Sequence, residues 1–404
     1  MLDPTLEAEG LGPSAFSEAL DGDWAARRAE LAERIGGSKL LVVGAAGTIG
    51  AATVRQLLEF VPARIELVDL DENGLARLAR DLRSRDAAPR TALGFNALDF
   101  AAPPGLAFAA AEGPFDGVLN FAAIKHVRSE KNRFTLLHML DVNVVKQRRF
   151  AEHLRRERLA SRYFVVSTDK AADPASFMGA TKLLLEQLAF AEGARSGAPI
   201  TSAARFANVA YSSGSLLESY LQRLEAGQAL AAPADTRRYF ISARDGARIC
   251  LLGDLACGAG RIGAPKFDPA SGAVELAETA ARFLASRGRS AVFVATPAEA
   301  AAVLARGGAD YPVLLTPRDT AGEKEVEVFR GRGEVAEDLG LASLEALRPA
   351  PVDLAALEAT LGELAAWVTG ARPTPSFAEV EAAIRAVAPT FDHLAAEATL
   401  DDRI

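Results

Sequence analysis

Between Tyr163 and Lys182 the chain places hydroxyls, a carboxyl and two amines in close succession: Ser167, Thr168, Asp169, Lys170 and Lys182. Such groups donate, accept and relay protons, which is the equipment of general acid and base catalysis. Their free forms are mismatched to that work at neutral pH, since a free aspartic acid titrates near about 3.9 and a free lysine near about 10.4. Burial in a dry pocket raises the first and lowers the second by up to about 3 to 5 units. Asp169 and Lys170 are therefore expected to act only if the fold encloses them. For an isolated Asp-Lys pair a solvated loop ion pair is the better reading; the density of polar groups here argues for a site. Met178, four residues before Lys182, shares its helical face. A thioether has no proton to give, so Met178 is expected to shape the pocket only.

The elements around these residues place them. Tyr163 to Val166 is a β-branched and aromatic run of the kind that forms a buried parallel strand, and Phe177 onward reads as a helix. The reactive groups thus sit at a strand's carboxyl end, where open parallel sheets hold ligands. Earlier, Lys39–Gly44 reads as a strand and Gly44-Ala-Ala-Gly47-Thr-Ile-Gly50 opens a helix running to about Phe60. A second strand, Arg64–Asp69, ends in an acid about 20 residues on. This combination marks a dinucleotide site: glycines for the turn, the close approach and the packing, and free N–H groups at Thr48, Ile49 and Gly50 for phosphates. Asp69 would accept bonds from a ribose 2′-hydroxyl and repel a 2′-phosphate, which favours NAD over NADP. Arg77 and Arg80 lie one or two helical turns further and could reach back.

Strands and helices alternate up to a sixth strand at Ile200–Phe206, the signature of a doubly wound α/β sheet. Residues 1–37 read as a helical leader, 38–206 as the dinucleotide-binding domain, 207–350 as a smaller substrate-binding lobe interleaved with the sheet, and 351–404 as a helical extension. The leader spaces Phe16, Leu20, Trp24, Leu31 and Ile35 to dock on the body or on a second subunit. A net charge of −8 over 404 residues argues against general nucleic-acid or membrane-surface binding. No basic region followed by an apolar run opens the chain and no segment reaches the length of a span, so a cytoplasmic location is expected. Two cysteines and four dispersed histidines support neither a disulfide framework nor a metal site.

The run Ser-Thr-Asp-Lys-Ala-x-x-Pro followed by Met-Gly-Ala-Thr-Lys resembles the nucleotide-sugar 4,6-dehydratases of bacterial polysaccharide biosynthesis. These are a branch of the extended short-chain dehydrogenase/reductase superfamily, with a Rossmann fold. The superfamily's usual Tyr-x-x-x-Lys has Met178 in the tyrosine's place. Further matches are Arg205-Phe-x-Asn208-Val-x-x-Ser-Ser213-Gly-Ser, Thr236-Arg-Arg238-Tyr-Phe, the Lys125-His126 pair, and a trace of a Gly-Glu-Lys turn at Glu323 and Lys324.

The resemblance implies 4,6-dehydration of a nucleotide-activated N-acetylhexosamine, with UDP-N-acetylglucosamine favoured, by a tightly held and recycled NAD. It makes Asp169 the acid that protonates the leaving hydroxyl and Lys170 the base at C5, with Thr168 and Lys182 relaying the C4 hydroxyl proton. It places Asn96 and Asp99 at the adenine, and Ala122, Ala123 and Lys182 at the nicotinamide ribose. Lys125, His126, Asn143, Arg205, Asn208, Ser213 and Arg238 fall to the substrate, with Arg205, Arg237 and Arg238 as cations for its diphosphate. Relatives commonly pair through helices beside the active-site strand, so a homo-oligomer is expected. The competing readings on the same fold are a 4-epimerase or dehydrogenase and a catalytically silent NAD-binding scaffold; the missing tyrosine lowers the former. UDP or GDP, and retention or inversion at C5, stay open.

Overall fold

The fold, taken from a computed structural model, is described over residues 14–84, 90–267, 273–317 and 327–393. Glu323 and Lys324 lie outside these residues. Nine strands form the main sheet: β1 (Lys39–Val43), β2 (Arg64–Asp69), β3 (Ala92–Ala97), β4 (Gly117–Asn120), β5 (Arg162–Val166), β6 (Ile200–Ala204), β7 (Arg261–Pro265), β8 (Val335–Asp338) and β9 (Leu344–Arg348). Their order is β8-β9-β7-β6-β5-β4-β1-β2-β3. The strands from β3 to β7 run parallel, while β9 pairs antiparallel with both β7 and β8. β1 and β5 are buried on both faces after their first residue, as the continuous runs Leu40–Val43 and Tyr163–Val166 predict. Strands β7 to β9 lie beyond residue 206, so the region after Phe206 supplies part of the main sheet as well as a lobe.

The lobe is a small parallel sheet of Leu230–Pro233, Asp310–Thr316 and Ser290–Val294, with its own core around Leu217, Tyr220, Phe283 and Val313. The short pairs Asn208–Val209 with Phe240–Ile241, and Arg237–Arg238 with Val274–Glu275, join it to the main sheet.

The leader forms α1 (Ser14–Ala26) and α2 (Arg28–Ile35) and docks on the body of its own chain. Phe16, Leu20, Trp24, Leu31 and Ile35 are all buried. Each such side chain contributes about 1.5–3 kcal/mol by leaving water. Asp23 fixes the docking by accepting from the Ser343 N–H at 2.7 Å and the Ser343 hydroxyl at 2.6 Å. Helix α3 (Thr48–Leu58) follows the glycine loop. The long helix expected around 131–158 is two α segments, Arg133–Leu140 and α4 (Lys146–Arg156), joined by a π turn at Asp141–Val145. Helix α5 (Phe177–Gly193) follows the reactive turn, and α6 (Ala243–Ala256) crosses over to β7.

The tail forms α7 (Leu354–Val368) and α8 (Phe377–Arg385), split near the expected prolines. It lies over α4 and α5. Glu358 pairs with Arg148 and Arg195, Gln187 donates to the Val387 carbonyl, and Phe391 and Phe377 pack on Phe177. Among the described residues no helix is long and apolar enough to cross a membrane.

Candidate active site

Strand β5 ends at Val166, and the chain turns at once into a single 3-10 turn, Asp169–Ala171. Three contacts hold that turn. Thr168 Oγ1 donates to Asp169 Oδ1 at 2.7 Å, and Lys170 Nζ donates to Asp169 Oδ1 and Oδ2 at 3.2 and 3.1 Å. The third contact is steric: a Cβ at Gly179 would come within 2.2 Å of the Lys170 carbonyl, so only glycine lets α5 press against the turn. Ser176 caps that helix by accepting from the Gly179 N–H at 3.1 Å. Met178 is buried and its N–H donates to Glu130 Oε1 at 2.7 Å.

The protonation states differ from the sequence expectation at one point. Asp169 is 4 % exposed, as expected of an enclosed group. Burial disfavours the Lys170 ammonium, but the carboxylates of Asp169 and Glu327 outweigh it and hold Lys170 above the usual lysine range. The anticipated downward shift of Lys170 is therefore corrected: it is a charged partner of Asp169. The downward shift falls instead on Lys182. Enclosed in α5 and donating to the Val166 carbonyl at 2.9 Å, it is pushed by burial down to about 8.

Glu327 escaped the sequence reading. Its side chain is 3 % exposed and accepts from the Tyr239 N–H at 2.8 Å and from Asn208 Nδ2. Arg238 Nε stands 3.9 Å away. Burial first, then the charge of Asp169, push its carboxyl up to about 7. Asn208 and Arg238, placed near the substrate from separate motifs, thus converge on one buried acid beside the Asp169–Lys170 pair. The only signal was the Gly-Glu-Lys trace three residues upstream, whose next acid but one is Glu327.

At the same sheet edge, Gly44 has φ +73°, and a Cβ there would sit 2.7 Å from the Ala122 nitrogen. A Cβ at Gly50 would sit 2.2 Å from the Gly44 carbonyl. The loop, the start of α3 and the loop after β4 with Ala122 and Ala123 therefore enclose a narrow backbone cradle, with Gly47 as the N-cap residue of α3. Asp69 closes it by accepting from the Ala46 and Asp71 N–H groups at 2.9 Å each. Arg77 is drawn onto Asp71 at 3.2 Å. Ile49 packs toward Gly246, and Thr48 Oγ1 accepts from the Ser213 N–H at 3.4 Å, so the cradle touches the 212–214 loop. Lys125 and His126 are exposed and reach that loop too: Lys125 Nζ donates to Ser212 Oγ at 3.3 Å, and the His126 ring lies against Gly214.

Other expected ligand residues are engaged inside the protein. Arg205 is 0 % exposed; its guanidinium forks onto Glu186 (2.8 and 2.6 Å) and Glu334 (both 2.7 Å) and donates to the Phe329 carbonyl at 3.0 Å. Its five N–H groups are all used, so the expectation that Arg205 holds a diphosphate is corrected. Asn143 is likewise fully buried. It donates to the Ile124 carbonyl and Thr181 Oγ1 and accepts from the Ile124 N–H, bracing the loop after β4 against α5 instead of facing a substrate. Asp99 is clamped by Lys146 at 2.6 Å and the Ala101 N–H, and Asn96 donates to Glu66 and the Leu67 carbonyl, so both brace the end of β3. Arg237 donates to the Ala273 carbonyl at 2.8 Å. Among the described residues no cluster suited to a metal ion exists.

The family description "Polysaccharide biosynthesis protein" matches residues 40–304. An uncharacterized membrane protein of Methanocaldococcus jannaschii is 32% identical over 52% of this chain and 61% of its own length. The inverting UDP-N-acetylglucosamine 4,6-dehydratase of Campylobacter jejuni is 27% identical over 57% of this chain and 67% of its own. Among solved structures, the Bordetella bronchiseptica enzyme WbmF in complex with NAD+ and UDP superimposes with a TM-score of 0.53 at 16% identity, covering 87% of this chain and 96% of that one. That likeness shows the fold, a doubly wound α/β sheet of the Rossmann kind. With about two thirds of its length under the family description, this chain belongs to the polysaccharide biosynthesis protein family.

Proposed function

We propose that the protein is an NAD-dependent 4,6-dehydratase of a UDP-linked N-acetylhexosamine, UDP-N-acetylglucosamine in the first instance. The observation that carries this reading is the bonded set Thr168–Asp169–Lys170 at the sheet edge, with Asp169 buried and Thr168 and Lys170 half-buried, near Lys182 on the facing helix. The name of the Campylobacter relative supports the substrate. Gly44, Gly47, Thr48, Ile49, Gly50, Ala122 and Ala123 would hold the dinucleotide, with Asp69 toward the ribose. The diversion of Arg77 onto Asp71 leaves it poorly placed for a 2′-phosphate, which favours NAD.

Bound NAD supplies an acceptor for the hydride of C4 and a donor that returns it to C6. The chain's own groups handle the protons. Thr168 and Lys182 take the C4 hydroxyl proton; Thr168 already touches Asp169 and so can pass that proton on. Lys170 removes the C5 proton, made acidic by the C4 ketone, and Asp169 protonates the C6 hydroxyl, which leaves as water. Lys170 then returns a proton to C5, and the relayed C4 proton restores Asp169. One water is lost and the cofactor ends as it began.

The bonded Lys170–Asp169 pair is one proton transfer from this state. The ammonium and carboxylate are 3.1 Å apart, so moving one proton from Lys170 to Asp169 creates the base and the acid together. A sugar that expels water favours the neutral pair, because charged forms lose most on desolvation. Lys125, His126, Asn208, Ser213 and Arg238 are the groups left to hold the nucleotide sugar.

Incubation with UDP-N-acetylglucosamine should give a product lighter by one water, with no net NADH. An unchanged mass with every UDP- and GDP-hexose, or steady NADH formation, would contradict the reading.

A further inference from the structure

Glu327 has no part in the reaction just described, yet it is buried at its centre. Among the described residues, the charged groups that face it are Asp169 and Lys170 from the turn after β5, and Arg238 from the Arg237–Arg238 strand. Asn208 and the Tyr239 N–H fix its oxygens. It is therefore held still by two neutral donors, while three charges on two other elements decide whether it carries a proton.

We propose that Glu327 is a positioning residue that couples occupancy of the diphosphate site to activation of the base: its charge keeps Lys170 an ammonium while Arg238 faces it, and it takes up a proton when a diphosphate engages Arg238. This rests on the reading of Lys170 as base and Arg238 as a diphosphate cation. The sign follows from the neighbours. Arg238 lowers the proton affinity of Glu327, and Asp169 raises it. A diphosphate that engages Arg238 removes the first influence and adds negative charge nearby, so Glu327 binds a proton more tightly. Once neutral, Glu327 no longer supports the charge on Lys170. The proton then moves more readily from Lys170 to Asp169, and only when substrate is present. The carboxyl stands close enough to neutrality, at about 7, for such a change to alter its occupancy.

Calorimetric titration of the NAD-loaded protein with UDP near pH 7, in buffers of differing ionisation enthalpy, reads protons taken up on binding. The wild type should take up protons, and E327Q should bind UDP with that uptake abolished. E327Q should also move the ascending limb of the kcat profile to lower pH by about one unit, the scale of one lost neighbouring charge, whereas E327D should restore the wild-type limb. Melting curves of both variants identify any that fail to fold, and E327D then carries the comparison through its retained uptake. UDP binding by the wild type without proton uptake, or an E327Q profile that coincides with the wild type, overturns the coupling and leaves the dehydratase reading intact. Failure of UDP to bind at all overturns both.

Discussion

Asp169 and Lys170 illustrate how far residue types can be read without coordinates. Their proximity, the enclosure of Asp169 and the burial of Met178 follow from a strand end and a helix start. The direction of the Lys170 shift does not, because it depends on Glu327, which arrives from more than 150 positions away in sequence. Lys170→Ala should lower turnover by roughly 10²–10⁴-fold, the usual contribution of a general base, while the bound dinucleotide content stays at the wild-type level. Arg205 shows the opposite failure: a motif arginine expected at a phosphate is locked between two carboxylates. Arg205→Ala leaves Glu186 and Glu334 buried and unpaired, which costs about 3–5 kcal/mol. A large fall in melting temperature checks this. Lys182 gives a pH signature. The native state releases its proton near about 8, whereas the unfolded chain holds it to the ordinary lysine value of 10.5. Between those values the unfolded state binds more protons, so stability rises with pH. In Lys182→Met, denaturant midpoints over that range should lose this rise.

The elements were legible where one local rule decides. The glycine loop, β1, β2 and the helix after the reactive turn each follow from runs and spacings that sequence shows directly. The π turn at Asp141–Val145 was not legible, because the phase shift of about 100° from one extra residue falls between two helical runs that each read as helix by themselves. Its consequence is visible in Asn143, which the turn sets between the Ile124 backbone and Thr181. The main-sheet strands after residue 260 were obscure, β9 and β8 being short, partly exposed and antiparallel at the sheet's end, whereas the lobe strand expected at Ala291–Ala295 is present as Ser290–Val294. The cradle's tolerance belongs to this scale. Gly50→Ala would push a methyl against the Gly44 carbonyl, so the variant should lose bound dinucleotide and melt lower. Full retention of both would show that helix α3 can shift at little cost.

For the whole molecule, the first and last described helices cover its flanks. The leader docks on its own body, and α7 and α8 cover the outer side of α4 and α5 through Glu358, Phe377 and Phe391. Self-association through that helical face therefore competes with the chain's own tail. Deleting residues 351–404 uncovers the apolar surface around Phe177, and light scattering should report a larger particle than the intact chain gives; an unchanged mass would mean the tail does not guard the face. The central claim is that the rim pair moves protons at a hexose while a dinucleotide stores its hydride. The most direct measurement is turnover of UDP-N-acetylglucosamine in deuterium oxide, followed by mass and magnetic resonance analysis of the sugar. The predicted product has lost one water and carries solvent deuterium at C5, and Lys170→Ala should form it roughly 10²–10⁴-fold more slowly. A wild-type product that keeps all its oxygens, or retains its original hydrogen at C5, would contradict it.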